Sequence, residues 1–424
     1  MDASTRPFMD KTHAVECQTD IVYGAGGVDY DRATGAARYR DLTLDVYRPR
    51  DAGDQPRPAL ILAFGGAFHR GSKSEEVFAG EAASTAMAEY CREFARRGYV
   101  CFSIDYRLMQ EAPHPGFTPF LPEGLTYATE RVDYVRGLLG LPPSTPQMLK
   151  DTLESSADDM SMAVAFVRSQ ARTFGVDVTR IAIGGFSAGA VMALNAAYAE
   201  RAPVAAVVSI SGRAAVPVLR RHVTDGPAAP PLLQFCGEND LPDIAGAQDG
   251  MRAFMAEAGM DSRFVVVPGS GHFYRRTQAV EGTDVETLIA TFLHDKLRLG
   301  GTAMTEAGLQ AFAEAWNRHD IDGLMSFMTE DCVFNANGGT EVYGTTFRGR
   351  DAVRRGFMKS WGDFPDAQWN HPRHAVSGNR GFSEWVFTGT DAAGKRTEVA
   401  GCDLFLFRGD KIVVKNSFRK RPAS

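Results

Sequence analysis

Apolar residues are distributed along this chain in two rhythms. Up to about residue 298, short and almost continuously apolar runs alternate with longer stretches of helical period. "ALILAF" (59–64), "YVCFSIDY" (99–106), "RIAIGGF" (180–186), "VAAVVSISG" (204–212), "PLLQFCG" (231–237) and "RFVVVPG" (263–269) read as strands, and most are continuously apolar, as strands buried on both faces should be. Between them, residues 86–98, 159–175 and 246–259 read as helices. Strand–helix alternation predicts a doubly wound, mostly parallel α/β sheet. Upstream, "YRDLTLDVYRPR" alternates with period two, as antiparallel edge strands do.

The rhythm breaks at "KLRLGGTAMTEAGL". Thr305 is placed to cap a new helix, on which Leu309, Phe312 and Trp316 share one face. A second helical stretch, "DAVRRGFMKSW", precedes the β-rich runs "RGFSEWVFTGT", "RTEVAGCDLFLFRG" and "KIVVKNSFRK", which separate at turn residues. That pattern predicts an α+β domain with a curved antiparallel sheet. The expected organisation is therefore a first domain over 1–298, a linker at 299–304 and a second domain over 305–424. A proline-rich insertion at about 107–158 carries Phe117, Phe120, Leu121 and Tyr127. It is expected to cap the first domain and to shape it for a bulky apolar or aromatic group.

Bulk properties narrow the field only a little. The 424 residues exceed one typical core, so more than one domain is expected. A net charge of −6 without a basic block points away from nucleic acid and from anionic membrane surfaces. The N-terminal stretch lacks the apolar core of a secretory signal, and no apolar run reaches the roughly 18 residues of a membrane span. Six scattered cysteines without a C-x-x-C pair read as reduced thiols. A cytoplasmic enzyme with no metal and no organic cofactor is the expectation.

The chemistry begins at "GFSAG" (185–189), a G-x-S-x-G between a strand and a helix. A sharp turn there would push Ser187 out as a nucleophile, and such a turn demands small flanking residues. A serine needs a base. His272, in "VVPGSGHFY" after the last strong strand, can supply it. An acid must orient that histidine, and "FCGENDLPD" offers Asp240, with Asp243 and Glu238 as alternatives. The order Ser…Asp…His suits this architecture. Backbone donors for an oxyanion would come from Gly66 and Ala67 in "LAFGGAFHRGSK", and from the N–H of Ala188.

These residues resemble the esterase/lipase group of α/β-hydrolases that carries an H-G-G-G oxyanion loop. The resemblance covers roughly the first 300 residues, with "FGGAF" standing where the group has H-G-G-G-F/W. Phe64 replaces the histidine and Ala67 the third glycine, and neither change removes a backbone N–H. The resemblance implies a serine hydrolase that cleaves small-molecule carboxylic esters through an acyl-enzyme. An amidase, formamidase or lactonase would use the same residues, and a binding scaffold with a decayed loop is a further alternative.

The last 120 or so residues resemble the SnoaL-like branch of the nuclear transport factor 2-like superfamily. "AFAEAWNRHDIDGLMSFMTEDCVFNANGG", "GRDAVRRGFMKSW" and "GCDLFLFRGDKIVVKNSF" carry that likeness. It implies a cone-shaped domain, commonly dimeric, with a pocket between helix and sheet. Some members isomerise or cyclise by proton transfer, which makes a bifunctional enzyme a further alternative. A carboxylate in an apolar pocket suits such chemistry. Asp403 is the foremost candidate there, with Glu384, Asn335 and Trp316, and with Trp385 and His374, as lining residues.

Overall fold

The computed structural model describes residues 7–50, 53, 55–74, 78, 81–125, 127–299, 304–377 and 379–420. The chain divides into two compact units, Met1–Leu297 and Arg298–Ser424. Most of the expected linker, residues 300–303, lies outside the described residues.

In chain order, the first unit contains β1 (Val15–Asp31), β2 (Ala36–Pro49), β3 (Arg57–Ala63), α1 (Met87–Arg96), β4 (Val100–Ile104), α2 (Glu130–Leu138) and α3 (Pro146–Ser169). There follow α4 (Ala171–Phe174), β5 (Val176–Phe186), α5 (Ala188–Tyr198), β6 (Ala206–Ile210), α6 (Val216–His222), β7 (Leu232–Gly237), α7 (Pro242–Glu257) and β8 (Ser262–Val267). A small hairpin, β9 (Ala279–Val280) and β10 (Thr283–Asp284), leads into α8 (Val285–Lys296). Among the described residues the sheet has eight strands in the order β1-β2-β4-β3-β5-β6-β7-β8. The strands from β4 to β8 run parallel, while β1 and β2 are antiparallel additions. This is an α/β-hydrolase fold. Every residue of β4, β6 and β7 is buried on both faces as expected. β8 is not: it closes the sheet as an edge strand, with Val265 and Val267 buried and Val266 exposed.

The chain passes from β3 to β4 on one side and returns to β5 on the other, so β3 and β5 are neighbours across a reversal of strand order. Loops leaving the carboxyl ends of such strands diverge and leave a crevice.

Two differences from the sequence reading have physical causes. β1, the true sheet edge, shows little strand signal because it carries Gly24, Gly26 and Gly27. The glycines serve close approach: a Cβ on Gly24 would stand 1.9 Å from Met162 Sδ, and one on Gly26 would stand 2.5 Å from Arg107 Cδ. The helix expected from residue 159 begins instead at Pro146, capped by the Thr145 side chain on the Met148 N–H. Its extra turns hide their periodicity because their inward positions are polar. Glu154 accepts the Phe120 and Leu121 N–H groups at 3.1 Å each, Asp158 accepts the Phe117 N–H, and Asp159 grips Arg107. The proline-rich segment is thus pinned by side chains on α3, with Phe120 buried and Phe117 exposed.

The second unit comprises α9 (Glu306–Asn317), α10 (Ile321–Ser326), β11 (Met328–Asn335), β12 (Thr346–Arg348), α11 (Arg350–Asp363), β13 (Gln368–Ser377), β14 (Arg380–Thr390), β15 (Arg396–Arg408) and β16 (Lys411–Arg419). Thr305 caps α9 on the Gly308 N–H. The sheet order is β12-β11-β16-β15-β14-β13, antiparallel except between β11 and β16. β13 escapes a propensity reading because it contains Pro372, which is tolerated at a sheet edge where the register shifts. The core, formed by Leu309, Phe312 and Trp316 against Phe334, Phe357, Trp369, Phe387 and Phe405, lies between the helices and one sheet face.

Candidate active site

Register places the loops of interest side by side. Ala63, the last residue of β3, pairs with Gly185 on β5, so the Gly65–Gly66–Ala67 loop and Ser187 leave adjacent strand ends. On the other side, β6 leads to Ser211, β7 to Asp240 and β8 to His272, and Gly237 pairs with Val267.

Ser187 has φ 52° and ψ −116°, a strained backbone for a residue with a Cβ. The turn holds because its neighbours are small. A Cβ on Gly185 would meet the Ala63 carbonyl oxygen at 2.5 Å, and one on Gly189 would meet it at 2.1 Å. The Ser187 N–H donates to the Ile210 carbonyl at 2.9 Å. The α5 helix starts at Ala188, so its first N–H groups face the site with the positive end of the helix dipole.

His272 Nε2 lies 2.8 Å from Ser187 Oγ, and His272 Nδ1 lies 2.6 Å from Asp240 Oδ1. All three residues are buried. Asp240 is the acid the structure brings to the histidine. Asp243 instead pairs with Arg213 at 3.1 Å, and Glu238 accepts the Gly269 N–H at 2.7 Å. Burial alone would raise the Asp240 pKa. Hydrogen bonds from His272, Ser211 Oγ (2.6 Å) and the Gly237 N–H (2.9 Å) outweigh it and hold the carboxyl below its usual range. An ionised Asp240 only accepts, so His272 carries its proton on Nδ1 and presents a lone pair to the Ser187 hydroxyl. The ring is packed between Phe186 and Phe273, at centroid distances of 5.1 and 5.0 Å.

The structure adds a member that sequence reading missed. Tyr274 Oη and Ser211 Oγ lie 3.0 Å apart. Since Ser211 spends its single proton on Asp240, the buried tyrosine donates to Ser211. A hydrogen-bonded row therefore runs Tyr274–Ser211–Asp240–His272–Ser187. Tyr274 stands two residues after His272, but no spacing rule connects Ser211 to either.

In the loop after β3, Gly66 has φ 114°, Ala67 φ 55° and Phe68 φ 61°. Gly66 is obligatory, since a Cβ there would lie 1.9 Å from the Arg70 carbonyl oxygen. Phe64, where the resemblance expects histidine, is anchored otherwise. Its ring stacks on Tyr106 at 4.5 Å and its carbonyl accepts the Tyr106 hydroxyl at 3.0 Å.

In the second unit the four candidate pocket residues separate. Asp403 and Trp316 converge on Lys415, which sequence reading missed. Lys415 Nζ is 2.7 Å from Asp403 Oδ1, 5.4 Å from the Trp316 ring centre and 5.1 Å from that of Phe334. Asp403 also accepts from Ser417 Oγ and, at 2.9 Å, from Trp385 Nε1. Burial pushes the Lys415 pKa down, against the attraction of Asp403. The Trp316 indole N–H is buried without a hydrogen-bond partner among the described residues. Glu384, by contrast, faces away on β14 and meets Arg373 at 3.3 Å, and Asn335 accepts from Thr346 at 3.1 Å. His374 bonds Ser383 and Gln310. Among the described residues no helix is long and apolar enough to cross a membrane, and no cluster of metal-ligating side chains occurs.

Comparison with known proteins agrees with this division. A Phospholipase/Carboxylesterase family model matches residues 146–281, a BD-FAE model residues 44–128 and a SnoaL-like domain model residues 309–415. Esterase LipC of Mycobacterium tuberculosis is 29% identical over 146 residues, 34% of this chain and 24% of that protein. Gut esterase 1 of Caenorhabditis elegans is 28% identical over 149 residues, 35% of this chain and 19% of that protein. The aligned part thus spans a quarter or less of either relative's length. Among solved structures, Thermogutta terrifontis esterase 2 phosphorylated by paraoxon aligns with 66% of this chain and 94% of its own, at 20% identity and TM-score 0.43. A putative polyketide cyclase from Xanthomonas campestris aligns with 27% of this chain and 88% of its own, at 23% identity and TM-score 0.25. The chain joins an α/β-hydrolase domain, matched by esterase family models, to a C-terminal SnoaL-like domain.

Proposed function

We propose that the first unit is a serine hydrolase of carboxylic esters. The observation that carries this reading is the row Ser187–His272–Asp240, with contacts of 2.8 and 2.6 Å. Ser187 Oγ attacks the acyl carbon as its proton passes to His272 Nε2. Asp240 remains a carboxylate and stabilises the imidazolium. The N–H groups of Gly66, Ala67 and Ala188 receive the charge that develops on the carbonyl oxygen. Collapse breaks the bond to the alcohol oxygen, which takes the proton from His272. Water then attacks the acyl-serine, giving its proton to His272, and the carboxylic acid leaves as Ser187 is reprotonated.

Esters are favoured over amides by the matching family descriptions and by the names of the two relatives. Turnover of p-nitrophenyl acetate and butyrate, beside a matched anilide and lactone, tests the bond type. Ester turnover that vanishes in Ser187→Ala supports the reading, and equal turnover in both proteins removes it.

A second reading concerns the SnoaL-like unit, and the buried Lys415 favours it. The ammonium, held by Asp403 among aromatic rings next to an unpartnered indole N–H, suits a small aromatic ligand bearing an anionic or carbonyl oxygen. Quenching of tryptophan fluorescence by salicylate in the wild type, lost in Lys415→Met, is the expected result. Identical quenching in both proteins would remove this reading. Dimerisation through the same unit has its own support. Phe382, Leu404 and Phe418 are exposed on one sheet face, beside a groove of about 560 Å³.

A further inference from the structure

The loop proposed to hold the oxyanion contains two consecutive non-glycine residues, Ala67 and Phe68, with left-handed φ angles. L side chains resist that conformation, so something outside the loop must hold it. Part of the hold is local, since the Gly66 carbonyl accepts the His69 N–H at 3.1 Å, and part comes from beyond β4, where the Met109 N–H donates to the Phe68 carbonyl at 2.8 Å. The rest reaches in from another element. His69 Nδ1 lies 2.7 Å from the Ala67 carbonyl oxygen, and His69 Nε2 lies 3.0 Å from Nη1 of Arg136 on α2. Arg136 and His69 are 4% and 2% exposed. The guanidinium is itself oriented, because its Nε donates to the Pro142 carbonyl at 2.5 Å.

The chemistry of these groups leaves one arrangement. Arginine has only donors, so His69 Nε2 must accept. The single proton of the neutral ring then sits on Nδ1 and is donated to the Ala67 carbonyl. Burial, together with the neighbouring Arg136 charge, pushes the His69 pKa below that of an ordinary histidine, against the Ala67 bond and the Asp133 carboxylate. The opposite tautomer would set Nε2–H against the guanidinium and a lone pair against the carbonyl. Fixing the Ala67 carbonyl fixes one side of the residue whose N–H is to meet the oxyanion.

We propose that Arg136 is a positioning residue for the oxyanion loop. From α2 it selects the His69 tautomer that pins Ala67, so the segment between β4 and α3 governs the chemical step as well as the substrate's fit. This rests on the serine-hydrolase reading. Its logic differs from that of the H-G-G-G loop the sequence resembles: the histidine follows the turn here, and Phe64 takes the preceding place.

The test uses the full chain and p-nitrophenyl butyrate. Arg136→Met is expected to lower kcat by about 10- to 100-fold with KM changed by less than about threefold, as for a loop displaced by a fraction of an ångström. His69→Ala should show a similar loss, and the double variant should be no worse than His69→Ala, because one residue acts through the other. Arg136→Lys should recover part of the rate, and added methylguanidinium should recover part of it in Arg136→Ala. Stoichiometric labelling of Ser187 by a fluorophosphonate probe, measured at completion in every variant, separates two kinds of failure. An unlabelled wild type would sink the serine-hydrolase reading itself. A labelled Arg136→Met with unchanged kcat, a rise confined to KM, or losses that add in the double variant would overturn the role of Arg136. If Arg136→Met does not fold, His69→Ala and the methylguanidinium titration carry the decision, and no rescue counts against the proposal.

Discussion

Ser187 sits at φ 52° because a strand and a helix meet with no residue to spare, and the chain tolerates this only where Gly185 and Gly189 leave room for the β3 backbone. That requirement is local, and it is why the turn that carries the proposed nucleophile is legible from five residues. His272 and Asp240 were legible for a related reason, since each follows a predicted strand and parallel strands end at one edge. Ser211, Tyr274, His69, Arg136 and Lys415 were not. Each matters through a partner between 12 and 67 positions away in sequence, and such pairings follow from folding alone. Glu200 is another of these. It bonds Ser161 and lies near Asp158, and burial, with that carboxylate adding to it, lifts its pKa to about 9. The folded state therefore binds a proton that the unfolded state has released above the ordinary carboxyl range. The contribution is fully present below that range and is lost as pH rises towards 9. Glu200→Gln should accordingly raise Tm by about 2–4 °C at pH 8.5 and change it little at pH 4.5, read by thermal melts. A larger gain at the lower pH would contradict the assignment.

Elements were legible where their inward positions are apolar, and hidden where those positions are polar or missing. The parallel strands follow the first rule. The N-terminal turns of α3 and the glycine-bearing β1 follow the second. In α3 the inward carboxylates act as anchors: Asp159 accepts three hydrogen bonds from the guanidinium of the fully buried Arg107, at 3.0, 3.1 and 2.7 Å, and accepts the Arg107 backbone N–H at 2.8 Å. Removing one partner of such a pair leaves an uncompensated buried charge. Asp159→Asn should therefore destabilise the first unit by about 3–5 kcal/mol in urea denaturation. A loss below about 1 kcal/mol would mean that water reaches the pair.

At the scale of the whole molecule, the rhythm of apolar positions changes near residue 300 and the chain divides into units Met1–Leu297 and Arg298–Ser424, the second closing its own aromatic core. Less of the second unit's chemistry was legible than of the first's. The first unit's residues follow strand ends in a set order, while the second unit's interior is set by which of two sheet faces a residue takes. Alternation separated Asp403 from Glu384 only once the register of β14 and β15 was known. The opposite face explains why Phe382, Leu404 and Phe418 remain exposed. If that face pairs two copies, Phe418→Asp should halve the mass seen by analytical ultracentrifugation, whereas a wild-type monomer would leave the patch without this role.

The proposed chemistry depends on the row Ser187–His272–Asp240, and hydrolysis of p-nitrophenyl butyrate by the wild type and by Ser187→Ala tests it most directly. Loss of the proposed nucleophile should lower kcat by several orders of magnitude, to about 10⁻⁴ of wild type or less, with the fold retained. Equal turnover by the two proteins would contradict the assignment of Ser187 and the mechanism built on it.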